Sequence, residues 1–137
     1  MQILLLHTNS IEVIPKKPAF KSAPDAEKDK PINMENCVTI LAASEKVDEG
    51  REEEVAQKVV EECKKYSEQV HVQKFMLYPY VHLTSDPSGV SCAKEVLDLI
   101  RRGLYKDFEV KSAPFGWYKE FKIHVKGHPL AELSRKL

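Results

Sequence analysis

The order of apolar periods along the chain predicts a layered α/β (α+β) fold, in the order strand, strand, strand, helix, strand, helix, strand, strand, helix. Apolar residues recur at helical spacing in two long segments, while the short apolar runs around them are alternating or continuous, as in buried strands. A length of 137 residues adds a third observation: it is one domain's worth of chain, enough to bury its own core, so residues 1–137 are expected to form a single domain.

Gln2 to His7 is a short apolar run stopped by Thr8-Asn9-Ser10, and Ile11 to Ile14 follows, which predicts a hairpin with a buried first strand. From Pro15 to Asn36 the composition changes. Pro15, Pro18, Pro24 and Pro31 are interleaved with lysines, and residues 15–36 are expected to be a partly mobile surface excursion with no assigned function. Cys37 to Ser44 predicts a second buried strand. Over residues 51–69 the period becomes helical, with Val55, Val59, Cys63 and Tyr66 on the apolar stripe and the pairs Glu54/Lys58 and Glu61/Lys65 on the wet face. The acidic start, Glu52 to Glu54, suits the helix dipole.

Val70 to Tyr78 predicts a strand that delivers the chain into Pro79-Tyr80-Val81-His82. Ala93, Val96, Leu97, Ile100 and Leu104 stripe a second helix, with Ser91 or Asp86 as its cap and Gly103 near its end. Phe108 to Lys111 is a short strand. Beyond it, Phe121, Ile123 and Val125 alternate with Lys122, His124 and Lys126, so a strand is expected, fed by an aromatic loop from Pro114 to Lys119. Pro129 in a first-turn position predicts a closing helix up to Leu137.

Charge and cysteine content narrow the function. The 21 basic residues balance 21 acidic ones, which argues against a broad nucleic-acid footprint but leaves room for a contact with one nucleic-acid end. The 3 cysteines, Cys37, Cys63 and Cys92, are far apart and form no Cys-x-x-Cys pair, so a reducing, cytoplasmic setting is expected. No run has the length of a membrane span, and Ile3 to Leu6 follows the first residues with no basic segment or cleavage site, so neither a membrane nor a signal peptide is expected.

Two loops at strand ends carry the unusual chemistry: Tyr78-Pro79-Tyr80-Val81-His82 and Phe115-Gly116-Trp117-Tyr118-Lys119. Opening at one edge of the sheet, they would make a pocket with aromatic walls, one imidazole and one ammonium. An ammonium in a partly dry pocket stabilises developing negative charge or positions a hydroxyl, and an imidazole orients water. Taken alone, a residue such as His82 is more often a satisfied structural histidine, and one such as Lys119 more often a surface lysine. His124 and His128 are four apart, but the turn at Gly127-His128-Pro129 separates them and no third ligand is placed, so no metal and no cofactor are expected. There is no Gly-x-Ser-x-Gly elbow, and Cys92 falls on a helix's apolar side.

Residues 78–85 (Tyr-Pro-Tyr-Val-His-Leu-Thr-Ser), 113–119 (Ala-Pro-Phe-Gly-Trp-Tyr-Lys), 121–123 and 126–135, with the opening Ile-Leu-Leu-Leu-His and Ser-Glu-Lys-Val-Asp-Glu at 44–49, resemble the N-terminal editing domain of archaeal-type threonyl-tRNA synthetases. The resemblance covers nearly all of the chain outside 15–36. It implies a fold like that of the D-aminoacyl-tRNA deacylases, a central mixed or antiparallel sheet with helices packed on it, usually homodimeric. It also implies hydrolysis of mischarged seryl-tRNA(Thr) without metal or cofactor, by an activated water that the 2′-hydroxyl of the terminal ribose assists. Lys119 matches the family's central catalytic lysine, and His82, Tyr118 and Glu132 match residues of the same pocket. Ala43 and Ser44 match the strand end that contacts the terminal adenosine. The expected partners are the acceptor end of tRNA(Thr) carrying serine, a second copy of the chain, and a synthetase catalytic body in cis or in trans.

The residue chemistry agrees in kind. An aminoacyl ester is already reactive, so its hydrolysis needs orientation, one water and charge stabilisation rather than a triad. One methyl separates threonine from serine and gives a pocket only about 1–3 kcal/mol, which calls for a second, hydrolytic sieve. Pro79, Tyr80 and Val81 are the candidate wall of that sieve, and Phe115, Gly116 and Trp117 frame it. Glu120 stands where a small residue is common in the family, and could pair with a neighbouring lysine; His124-Val125 stands where Ser-Cys is frequent. Two rival functions share these residues: a D-aminoacyl-tRNA deacylase, and a module that holds an aminoacyl group or tRNA end without cleaving it.

Overall fold

In the computed structural model, which describes residues 1–137, the organising element is β1 (Gln2–Pro18), a single strand of 17 residues. β2 (Ile32–Ala43), β5 (Trp117–Val125) and β6 (Glu132–Lys136) all pair with it antiparallel. The expected hairpin within residues 2–14 does not form. Thr8 and Asn9 find partners inside the sheet instead: the buried Thr8 hydroxyl donates to Leu6 O and lies 2.9 Å from Thr39 Oγ1, and Asn9 Oδ1 accepts from Lys126 Nζ. With those polar groups satisfied, the interruption becomes a register shift between Thr8 and Ser10 rather than a turn.

β3 (Lys74–Pro79) and β4 (Glu109–Ser112) extend the sheet in parallel, giving the order β4-β3-β2-β1-β5 with β6 also on β1. The crossovers are α1 (Glu52–Val70) and α2 (Val90–Tyr105). The architecture is thus the expected mixed α/β sheet with helices packed on it. α1 closes at His71, which takes the left-handed conformation at φ 57°, so the strand expected from Val70 begins only at Lys74. Gly89, not Ser91 or Asp86, caps α2, and no side chain completes the cap.

The closing helix expected after Pro129 is the strand β6. β5 pairs with β1 only from Thr8 onward, which leaves the backbone of Gln2–Leu6 unpaired on that side, and residues 132–136 take it up. Leu133 packs on the core from there. The excursion is also shorter than expected: Pro15 to Pro18 belong to β1 and Ile32 to Asn36 to β2, leaving residues 19–31 as the loop.

Strand alternation divides the apolar residues into two clusters. Ile3, Leu5, Val38, Ile40, Phe75 and Leu77 face the helices and meet Val59, Tyr66, Val96, Ile100 and Leu104; each such side chain contributes about 1.5–3 kcal/mol on burial. The other face buries Leu6, Ile11, Val13, Leu41, Met76 and Tyr78 with no helix over it. The sheet covers this face itself by curling. β3 and β5 are separated by two strands, yet the Tyr78 and Phe121 rings meet at 4.9 Å, far less than three strand spacings of about 4.8 Å laid flat.

At the sheet's end the α-amino group of Met1 is fully buried. It pairs with Asp48 and Glu45, each at 3.0 Å, and donates to Leu137 O at 2.9 Å. No helix is long and apolar enough to cross a membrane.

Candidate functional site

The curl brings the end of β5 over the carboxyl ends of β2 and β3 and encloses a cavity of about 570 Å³. The two loops singled out in the sequence open into it together. Pro79, Tyr80, Val81 and His82 form one side and Phe115, Gly116, Trp117, Tyr118 and Lys119 the other, with Ala43 and Ser44 at the end of β2. Of the candidate residues only Glu132 lies elsewhere. It is exposed on β6, opposite Leu6, and is not among the lining residues.

Lys119 reaches the cavity because alternation along β5 puts it on the same face as Phe121 and Ile123, the face that meets Tyr78. Its Nζ donates to Pro114 O at 3.0 Å and to Trp117 O at 2.9 Å, and stands 5.1 Å from the centroid of the Tyr78 ring. Burial pushes its pKa down from 10.5 to about 8, because the ammonium has lost water and faces no carboxylate. Glu120, next in sequence, is exposed and forms no ion pair, so the expected pairing with a nearby lysine does not occur. The turn that supplies the two carbonyls needs Gly116, whose φ is +73° and where a Cβ would lie 2.7 Å from Phe20.

His82 sits in a 3-10 turn, Val81–Leu83, entered through Tyr80, whose N–H donates to Ala42 O. The imidazole is exposed and lies edge-on to Tyr80 at 5.4 Å. Tyr80 in turn touches Tyr78 and Phe121, so an aromatic chain links the imidazole to the floor beneath the ammonium. Burial, then the neighbouring Tyr80, raises the Tyr78 hydroxyl to about 12, so it stays protonated. The turn is tied down by Thr84, whose hydroxyl donates to Glu45 Oε1 at 2.8 Å. Burial works against the Glu45 carboxylate, but bonds from Thr84, the Met1 ammonium and Gln2 hold its pKa below the ordinary value. Ser44 and Ser88 share a hydrogen bond of 2.5 Å at the cavity rim.

Several residues at the site have no role legible from sequence. The loop 19–31 is fastened to the lysine's turn: Ala19 N–H donates to Gly116 O, Trp117 Nε1 donates to Pro24 O, and Phe20 packs edge-on to Phe115. Phe20 is the one large apolar side chain in that Pro- and Lys-rich stretch, and this was the signal available. Tyr78 lay in a quoted motif, but its ring's place under the ammonium depends on the curl. His128, weighed with His124 as a ligand pair, bonds His7 instead. Its Nδ1 accepts the Leu130 N–H, so Nε2 carries the proton and donates to His7 Nδ1 at 2.7 Å. No three His, Cys, Asp or Glu side chains come together in a ligand set.

The arrangement can hold a small polar group between a desolvated ammonium and an imidazole, in a chamber whose walls are mostly apolar. It offers charge stabilisation and orientation but no nucleophile–base pair.

Comparison with known proteins gives the same direction over the full length. The family model described as the archaea-specific editing domain of threonyl-tRNA synthetase matches residues 1–137. A threonine–tRNA ligase of Nanoarchaeum equitans is 48% identical over 141 residues, covering 100% of this chain and 22% of the relative. One from Methanosarcina acetivorans is 44% identical over 137 residues and one from Methanococcus maripaludis 43% over 137, with the same coverage. The chain therefore spans about a fifth of the length of the curated relatives it matches. With its whole length matched by that model, the chain belongs to the archaea-specific editing domain family of threonyl-tRNA synthetase.

Proposed function

We propose that this domain hydrolyses the ester of mischarged seryl-tRNA(Thr). The observation that carries the reading is the convergence of Lys119 and His82 on one 570 Å³ cavity in a chain matched throughout by an editing-domain family. Water attacks the ester carbonyl, a tetrahedral oxyanion forms, the bond to the ribose oxygen breaks, and that oxygen leaves with a proton, releasing serine and free tRNA. The terminal 2′-hydroxyl assists the attack.

Lys119 is suited to the charged step. Pro114 O and Trp117 O engage two of its three N–H bonds and the third position faces the aromatic floor and the cavity. A donor so fixed need not reorganise when it orients the 2′-hydroxyl or meets the oxyanion. His82 positions the water or the amino acid, Tyr118 borders the same space, and Phe115 and Trp117 frame it. Pro79, Tyr80 and Val81 form the wall that rejects threonine's methyl group, and Ala43 and Ser44 contact the adenosine. Glu132, outside the cavity in the single chain, is assigned no step. The partner is the serine-bearing acceptor end, the tRNA body is left to the rest of the ligase, and the working assembly is a homodimer, as sedimentation would reveal.

The test is release of amino acid from seryl-, threonyl- and D-seryl-tRNA by the parent and by Lys119→Met and His82→Ala. The reading requires preference for the L-seryl ester and a loss of about 100-fold or more in Lys119→Met. Preference for the D-ester would instead make it a D-aminoacyl-tRNA deacylase, and a parent with no activity would make it a binding module.

A further inference from the structure

A second cavity, of about 580 Å³, lies on the other side of Phe115. The two cavities share Pro79, Leu97 and Phe115, so one aromatic and two aliphatic side chains form the partition between them. The second lies at the carboxyl ends of β3 and β4, where the parallel pairing stops at Leu77 and Ser112. Its outer walls are the loop 19–31 and the exposed side of α2.

The polar groups here differ from those around Lys119. Asp25, Glu27 and Asp98 stand against Lys30, Lys94 and Arg101. Glu27 holds Lys30 at 2.9 Å and Asp98 holds Arg101 at 2.8 Å. One carboxylate, Asp25, and one ammonium, Lys94, are left without ion partners. Ser112, also in the lining, has a buried hydroxyl oxygen with no hydrogen-bond partner, a state that native proteins generally avoid unless a ligand or water completes it.

We propose that this cavity takes the nucleotide preceding the terminal adenosine, a cytidine at a CCA end, while the aminoacyl adenosine occupies the first cavity. The inference rests on the hydrolase reading for its substrate and on the second cavity for its content. Equal numbers of acidic and basic groups suit a neutral base with a single phosphodiester better than a run of phosphates. Lys94 is the free cation for that phosphodiester. Cytosine presents an exocyclic amine, which a carboxylate such as Asp25 accepts, beside acceptor atoms that complete the Ser112 hydroxyl. Phe115, between the cavities, gives consecutive bases a ring to pack on, the usual way single strands are held.

The experiment uses serine esters of adenosine and of the dinucleotides CpA and UpA. In the parent, kcat/KM should rise about tenfold or more from adenosine to CpA, with UpA falling short of CpA. Ser112→Ala and Lys94→Glu should remove most of that rise, and Asp25→Asn should erase the preference for CpA over UpA. All three should leave the adenosine ester within about twofold of the parent, which also shows that they are folded. Equal kcat/KM for the adenosine and CpA esters, or a CpA advantage untouched by all three variants, overturns the proposal. Should no ester be hydrolysed, the hydrolase reading fails by itself. Equilibrium binding of unesterified CpA against adenosine then decides the cavity, tighter CpA binding supporting it and equal binding refuting it.

Discussion

Replacing Lys119 with Met should stabilise the domain at neutral pH, with a gain that shrinks as pH rises. The folded protein holds this group near 8 against 10.5 because burial disfavours the ammonium. Between those values the unfolded chain binds a proton that the folded chain does not, so the parent's stability increases with pH across that window. The penalty is complete below about 8 and gone above 10.5. The gap corresponds to roughly 3 kcal/mol at 1.36 kcal/mol per pH decade, and discounting for the solvent the group still meets leaves about 1–2 kcal/mol. Met keeps the aliphatic stem beside Tyr78, so lost packing is small, and the lost carbonyl hydrogen bonds offset part of the gain equally at every pH. The assay is denaturant unfolding of parent and variant at pH 7, 8, 9 and 10, followed by the fluorescence of Trp117, the chain's 1 tryptophan. Other titrating groups cancel in the difference. A stability difference that stays constant within about 0.3 kcal/mol from pH 7 to 10 would refute the account of the ammonium as a strained group.

Gly116→Ala should cost about 2 kcal/mol, because it combines a φ of +73° with a Cβ 2.7 Å from Phe20, whereas Gly50→Ala, at φ +82° with open space around it, should cost only about 1 kcal/mol; melting temperatures of the two compare them directly. Asp48→Ala leaves the Met1 ammonium buried with Glu45 as its one carboxylate, and should lower unfolding free energy by about 3 kcal/mol in a denaturant titration. His7 is held below 6.5 by burial first, then by His128 and Lys126. The unfolded state therefore takes up its proton first, and stability should fall as pH drops below 6.5; His7→Gln should flatten the melting-temperature profile between pH 7 and 5.

Much of this fold was legible because local and tertiary preferences agree. The stripes of α1 and α2, the buried run at Cys37–Ala43 and the alternation at Phe121–Val125 each state their period plainly. The failures came where long-range pairing overrode a local signal. Leu130, Leu133 and Leu137 after Pro129 imitate a helix, yet an unpaired strand edge on Gln2–Leu6 claims the segment. Thr8-Asn9-Ser10 looks like a turn because its partners, Thr39 and Lys126, are distant in sequence. At the site, residue types announced the imidazole and the ammonium. Nothing local announced that Tyr78 would lie under Lys119 or that Phe20 would brace Gly116, since both depend on how far the sheet bends.

The fastening of residues 19–31 has its own consequence. Its first half, through Ala19, Phe20 and Pro24, is stitched to the turn that aims Lys119, while its second half touches the body through Asp29, which meets Lys16 and the Pro15 carbonyl. Length changes confined to Asp25–Lys28 would thus remodel the outer chamber and leave the inner one alone. Under the proposed seating of the nucleic-acid end, evolution, or an engineer, has at that tip a means of altering how much of the tail is gripped without disturbing which amino acid is discarded.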